Sequence, residues 1–249
     1  MAMLYSKDAL EACRQVLNDV VYCLREHEER FYLVGGWAVY YLLDRPDRAP
    51  EAIGFAGTED VDLAFLVPMN ELEKIMSRLE ERRYQRAGSQ RMRREVSGRT
   101  VIVDLLGGKQ EIKDSFTFTK RISGTTLAGE VVDVKISIVN LPACLVLKAR
   151  AFDENPKDKD AYDIYYLITH GGTKEGAAAG EVREVINRPF VADGLRLLRL
   201  HFSRVEGRGL RAATQTLSRF EGRSAREARA MVRGSFRRFF AEVGLAVNY

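Results

Sequence analysis

Long hydrophobic runs are missing from this sequence, as are the residues that build disulfide frameworks and zinc sites. No apolar stretch approaches the ~20 residues that a membrane-spanning helix needs, so no membrane partner is expected. Cysteine occurs three times (Cys13, Cys23, Cys144) and histidine three times (His27, His170, His201). An odd number of cysteines in apolar helical surroundings gives neither a disulfide framework nor a zinc site. The histidines are scattered and read as surface or helix-end residues. The first eight residues lack a basic start followed by an apolar stretch, so no signal peptide is expected and the expected compartment is cytoplasmic. Internal repeats and low-complexity tracts are also missing. What remains is the composition of an ordinary globular protein. Its 249 residues suffice for one large domain or two modest ones with a substantial core.

Lysine is missing from one region altogether. From Glu181 to Tyr249 there are 14 Arg, no Lys and 7 acidic residues, a balance of +7. The whole chain carries +4, so the rest carries −3. An acidic first part with a basic tail is compatible with a polyanionic partner, or with an Arg-rich solvated helical face.

Periodicity divides the chain into a mixed part, residues 1–140, and a helical part, residues 141–249. Asp8 reads as a helix N-cap with Glu11 three positions on, and Leu10, Cys13, Val16, Leu17, Val20, Val21 and Leu24 recur at helical spacing to about Glu28. Phe31–Val34 reads as a short strand, stopped by Gly35-Gly36 and followed by a buried helix over 37–43. The stretch 44–57, with two prolines and two glycines, reads as an exposed insertion. Residues 58–67 read as a strand closed by Pro68, and 70–84 as an amphipathic helix. Arg91–Val96 and 100–106 make a hairpin about a Ser97-Gly98 turn. Phe116–Phe118 and Val131–Val139 are further strands. Helices follow from Pro142 and over 157–167. Residues 224–240 form an amphipathic helix with Arg opposite Met231, Val232, Phe236, Phe239 and Phe240. The fold class is α+β: a mixed β-sheet with flanking helices, then a helical domain.

Three features carry chemistry. Gly35-Gly36 joins a strand directly to a helix, where backbone N–H groups and the positive helix end can meet a phosphate. Asp60 and Asp62 lie two apart on the next strand and so share a face. Two neighbouring carboxylates at the mouth of an apolar strand repel, and a divalent cation with oxygen ligands would relieve them. Asp104 lies on a later strand in an apolar run that has no structural use for a charge. Together the three carboxylates suit a two-metal site for phosphoryl or nucleotidyl transfer, with Mg²⁺ as the expected ion and Mn²⁺ as an alternative. Glu59 points away from the pair and reads as solvated.

Gly35-Gly36, then Thr58-Glu59-Asp60-Val61-Asp62, then Val103-Asp104 resembles the signature of the DNA polymerase β-type nucleotidyltransferase superfamily. Lys148-Ala149-Arg150-Ala151 followed by Lys157-Asp158-Lys159-Asp160-Ala161-Tyr162-Asp163-Ile164-Tyr165 resembles the motif of its AbiEii/AbiGii group of abortive-infection and toxin–antitoxin nucleotidyltransferases. The resemblance runs from about residue 31 to 170. It implies that Gly35, Gly36 and Thr58 contact the nucleotide and that Asp60, Asp62 and Asp104 bind the metal. It also implies that Lys148 reaches the nucleotide phosphates, with Asp160 and Asp163 orienting Lys148 or the nucleotide. Without it, Lys148 reads as a snorkelling helix lysine and Asp160 as an N-cap. The sequence departs from the group's pattern in two ways. Twenty-four positions separate Gly36 from Asp60, and Ala56 stands where the group often has Arg, leaving a phosphate contact to another residue such as Arg45 or Arg48.

The resemblance implies an NTP-using, for instance ATP-binding, nucleotidyltransferase acting on a hydroxyl of RNA (tRNA included) or protein, as a toxin with a cognate antitoxin. A small-molecule acceptor is one alternative. A catalytically inactive nucleotide-binding regulatory protein is another, favoured by Ala56, and an RNA-binding role confined to the tail is a third.

Overall fold

The protein's structure, a computed structural model, describes residues 6–44, 55–172, 177–204 and 206–245. These fall into two compact units. One, Tyr5–Ala38 with Gly57–Asn140, is built on a sheet; the other takes up the described parts of Val39–Ala56 and of Leu141–Tyr249 and is helical.

The sheet has seven strands in the order β3-β4-β5-β2-β1-β7-β6: β1 Phe31–Val34, β2 Asp60–Phe65, β3 Gln85–Gly88, β4 Arg91–Val96, β5 Arg99–Gly107, β6 Thr117–Thr125 and β7 Val131–Val139. It is mixed: β2 runs parallel to β5 and β1 parallel to β7, and the other pairs are antiparallel. The central strand β1 is buried at all four residues, as its unbroken apolar run requires. Helix α1 (Lys7–Cys23) packs on β2, β5, β6 and β7 through Cys13, Val16, Leu17, Val20 and Val21, all fully buried. Asp19 is buried among them because Arg82 at 2.8 Å and the Tyr84 hydroxyl at 3.0 Å both engage its carboxylate.

Several boundaries differ from the sequence reading. The cap of α1 is Ser6, whose Oγ accepts from the Ala9 amide at 3.2 Å, while Asp8 lies in the first turn. The helix ends at Cys23 instead of Glu28, because Arg25–Arg30 offers no apolar residue to extend the stripe; that segment turns 3-10. Helix α3 (Met69–Glu81) stops short of Tyr84, where Arg83 takes a positive φ of 67°. Strand β3 and the short helix α4 (Gln110–Ser115) were not anticipated; all four residues of β3 are exposed, so no alternation marks them. In the stretch 44–57, residues 45–54, with Arg45 and Arg48, lie outside the described residues, and Phe55, Ala56 and Gly57 at its end are buried, not exposed.

Helix α2 (Gly35–Leu43) begins in the sheet unit and ends in the helical one. The helical unit continues with α5 (Leu141–Glu154), α6 (Asp158–His170), α7 (Ala178–Glu184), α8 (Pro189–Phe202), α9 (Arg208–Glu221) and α10 (Ala225–Val243). Its core is aromatic. Phe202 stacks on Phe236 at 4.4 Å between centroids, and Tyr162 packs against Tyr166 at 4.6 Å. Ser224 and Glu227 form a capping box that starts α10, and Gly222 in the left-handed region ends α9. Of the apolar residues expected to face inward on α10, Val232, Phe236, Phe239 and Phe240 are buried. Met231 is 37% exposed, so it lies outside the stripe.

Candidate functional site

The site begins where β1 runs into α2. Strand register sets Val34 opposite Asp62, which brings the next residue, Gly35, against that carboxylate. Gly35 has φ +67°, and a Cβ there would lie 1.9 Å from Asp62 Oδ2. A Cβ on Gly36 would lie 2.4 Å from Thr58 Oγ1. Only glycine at both positions lets the first turn of α2 press against the acidic strand, and only glycine takes the first of these backbone conformations without strain. The arrangement brings backbone N–H groups at a helix start beside a carboxylate face, a cradle of phosphate-binding type.

On β2, Asp60 and Asp62 are half-buried while Val61 and Leu63 between and after them are fully buried, so the two carboxylates share one face. Thr58, fully buried, donates from Oγ1 to Asp60 Oδ1 at 2.6 Å. The backbone of the same residue is held from the opposite side. Trp37 Nε1 donates to Cys13 Sγ at 3.2 Å, and Cys13 Sγ donates to the Asp60 carbonyl at 3.4 Å. Burial, with the nearby Asp60, Asp62 and Glu59 charges outweighing the Trp37 hydrogen bond, pushes the Cys13 thiol up to about 12. It acts as a neutral strut.

Parallel pairing of β2 with β5 sets Asp104 directly beside Asp62. Antiparallel pairing of β5 with β4 sets Arg91 beside Asp104 on the other side. The Arg91 guanidinium grips Asp104 with two bonds, Nε–Oδ1 at 2.6 Å and Nη2–Oδ2 at 2.9 Å. These bonds, and the Asp104 charge ahead of the Asp60 and Asp62 charges, raise the Arg91 pKa above its usual value. Among the described residues no three His, Cys, Asp or Glu side chains are gathered as a ready metal site, and Asp104 is held by Arg91. The donors nevertheless fit a hard divalent cation. Asp60 and Asp62 present carboxylate oxygens on one face, and the glycine cradle brings the chain to within contact of Asp62.

The remaining candidates lie in the helical unit. Lys148 on α5 is 8% exposed, and its Nζ donates to Asp160 at 2.7 Å and pairs with Asp163 at 2.8 Å, both on α6. Lys159 also reaches Asp163, at 2.8 Å. Burial alone would lower the Lys148 pKa, but the Asp163 and Asp160 charges outweigh it and hold the ammonium well above its usual value. Burial would likewise raise Asp163, yet Lys148 and Lys159 hold it below the usual carboxylate range. Lys148 is therefore not a snorkelling surface lysine. Asp160 is not an N-cap either: Lys157 holds that position without a side-chain bond, and Asp160 sits in the first turn.

Residues 19–247 match the family described as nucleotidyl transferase AbiEii toxin, Type IV TA system. The chain belongs to the AbiEii family. No relative matches among curated proteins. Among solved structures, the antibiotic-resistance factor ANT(2'')-Ia is similar at 13% identity and a TM-score of 0.37, over 93% of this chain and 94% of its own. The Megavirus polyadenylate synthase is similar at 12% identity and a TM-score of 0.41, over 74% of this chain but only 40% of its own length. Among the described residues of this AbiEii-family chain, no helix is long and apolar enough to cross a membrane. Arg91, Cys13 and Trp37 are the site residues that motif reasoning passed over. The first was open to it, because counting outward from the Ser97-Gly98 turn pairs Arg91 with Asp104.

Proposed function

We propose that the protein transfers a nucleoside monophosphate from a Mg-bound NTP to a hydroxyl group of RNA, tRNA included, or of a protein. In this reading it is the toxin partner of a cognate antitoxin. The observation that carries it is the close fit of Gly35 and Gly36 against Asp62 and Thr58, a phosphate cradle on a carboxylate face. The triphosphate takes backbone N–H bonds from the cradle, which fixes the α-phosphorus over β2. Asp60 and Asp62 would hold the metal, which when bound neutralises charge on the phosphates and acidifies the acceptor hydroxyl. Thr58 keeps the Asp60 carboxylate oriented. Once Arg91 releases it, Asp104 would be a further ligand for the ion and the base that takes the proton of the acceptor hydroxyl. The acceptor oxygen forms its bond to the α-phosphorus as the bond to the bridging oxygen breaks, and pyrophosphate leaves.

The test is incubation with each α-labelled NTP and total RNA or lysate, wild type beside Asp60→Ala and Asp62→Ala. Label should pass to an acceptor with the wild type and with neither variant. Full transfer by either variant would exclude this mechanism.

A second reading, a nucleotide-binding regulator without turnover, draws on the grip of Arg91 on Asp104 and on Ala56. It predicts Mg-dependent NTP binding with no label on any acceptor, RNA, protein or small molecule.

A further inference from the structure

Strand register lines up one row of residues across the sheet. Val34, Asp62, Asp104 and Arg91 are successive neighbours on β1, β2, β5 and β4. With three strand-to-strand steps the row is ~14 Å long. The glycine turn after Val34 stands at one end, Arg91 at the other, and the two carboxylates lie between. Both bonds from Arg91 to Asp104 come from one guanidinium and engage both carboxylate oxygens at once. The Asp104 side chain is 16% exposed and that of Arg91 54%. A pair so open to water adds little to the stability of the fold. Its effect is on chemistry: the guanidinium occupies the oxygens of Asp104, and its charge repels any cation brought there.

We propose that Arg91 is a specificity-determining residue that keeps water from taking the place of the acceptor. This rests on the proposed transfer to a hydroxyl and adds the choice between hydroxyls. With the nucleotide at the glycine end, the attacking oxygen approaches past Asp104 from the β4 side, where Arg91 stands. A water activated by Asp104 would bond to the α-phosphorus as the bond to the bridging oxygen breaks. Its proton would pass to Asp104, and NMP and pyrophosphate would leave with no acceptor modified. While Arg91 grips Asp104, that base is occupied. An acceptor that carries an oxyanion offers the fork a second partner, because a guanidinium grips phosphate as it grips carboxylate. Water brings no anionic group and leaves the grip in place. An exposed pair opens readily, so Arg91 biases the site and does not lock it.

The test uses the full chain with Mg²⁺ and α-labelled NTP, first without an acceptor, and follows labelled NMP. Arg91→Ala should raise this hydrolysis about fivefold over wild type, and Arg91→Lys, which lacks the fork, by less. Arg93→Ala, on the same face of β4 but bonded to Gln85, should stay at the wild-type rate. Adding Asp62→Ala to Arg91→Ala should abolish the hydrolysis, which ties it to this site. With total RNA or lysate added, the share of label that reaches an acceptor should fall in Arg91→Ala. A second readout needs no turnover. The Arg91 Nε–H should give a distinct NMR signal, absent in Arg91→Lys and shifted in Asp104→Asn. It should hold its place when Mg²⁺ and a non-transferable α,β-methylene NTP are added. Equal hydrolysis by Arg91→Ala and wild type, an unchanged share of label, or a signal lost with nucleotide and metal alone overturns the inference. If the wild type labels no acceptor, the transfer reading fails; if it does and Arg91→Ala hydrolyses no faster, the inference alone fails.

Discussion

Gly35 is the position where one carbon atom decides the site. Replacing it with Ala puts a methyl group 1.9 Å from Asp62 Oδ2 on a backbone already in the left-handed region. The backbone term alone costs about 1–2 kcal/mol. The larger effect is on Asp62, whose carboxylate must move by about an ångström or more. Gly35→Ala should therefore lower nucleotidyl transfer about a hundredfold while the chain stays folded, read by labelled-NTP transfer beside circular dichroism. Arg91 offers the opposite experiment. It competes with a cation for Asp104, and it is 54% exposed, so the pair is worth only about 1 kcal/mol. Arg91→Ala should tighten Mn²⁺ binding several-fold in the absence of nucleotide, measured by electron paramagnetic resonance. Unchanged affinity would mean that Asp104 takes no part in holding the ion.

At the level of elements, the legible parts are those where pattern and burial agree. Strand β2 and helix α2 were readable because an unbroken apolar run, a glycine pair and an isolated carboxylate pair leave few alternatives. The Arg91–Asp104 contact was equally open, since a two-residue turn at Ser97-Gly98 fixes the register of β4 on β5. Strand β3 and helix α4 were not, being short and mostly exposed. The Trp37–Cys13–Asp60 chain was hidden for another reason. It joins residues 24 and 47 positions apart, and no local pattern marks such a contact. Trp37 is fully buried, so Trp37→Ala should cost about 3–5 kcal/mol in denaturant unfolding. A loss under 1 kcal/mol would show that α2 does not depend on this anchor.

For the whole molecule, the buried Lys148–Asp160–Asp163 cluster sets limits on stability at both ends of the pH scale. Asp163 lies below the usual carboxylate range, so its contribution is present above the unfolded pKa of about 3.9 and fades as acid carries pH down through the folded value. Lys148 lies above its usual range, so its contribution holds below about pH 10.4 and fades as pH rises through the folded value. Urea midpoints should be level between these limits and fall outside them. Asp163→Asn leaves Lys148 and Lys159 short of a counter-charge in a site 2% exposed, and should cost about 3 kcal/mol at pH 7. Equal midpoints for variant and wild type would show that Asp160 alone suffices.

The sulfur behind the carboxylate strand has a consequence for handling the protein in air. Cys13 and Cys144 are buried with thiols pushed up to about 12, so almost no thiolate exists at neutral pH for peroxide or alkylating reagents to attack. Burial raises the Cys23 thiol as well, but Cys23 is only half-buried and so within reach of a reagent. Iodoacetamide on the folded chain should add a single carbamidomethyl group, at Cys23, visible by mass spectrometry. The reaction chamber needs no reductant to keep the strut intact.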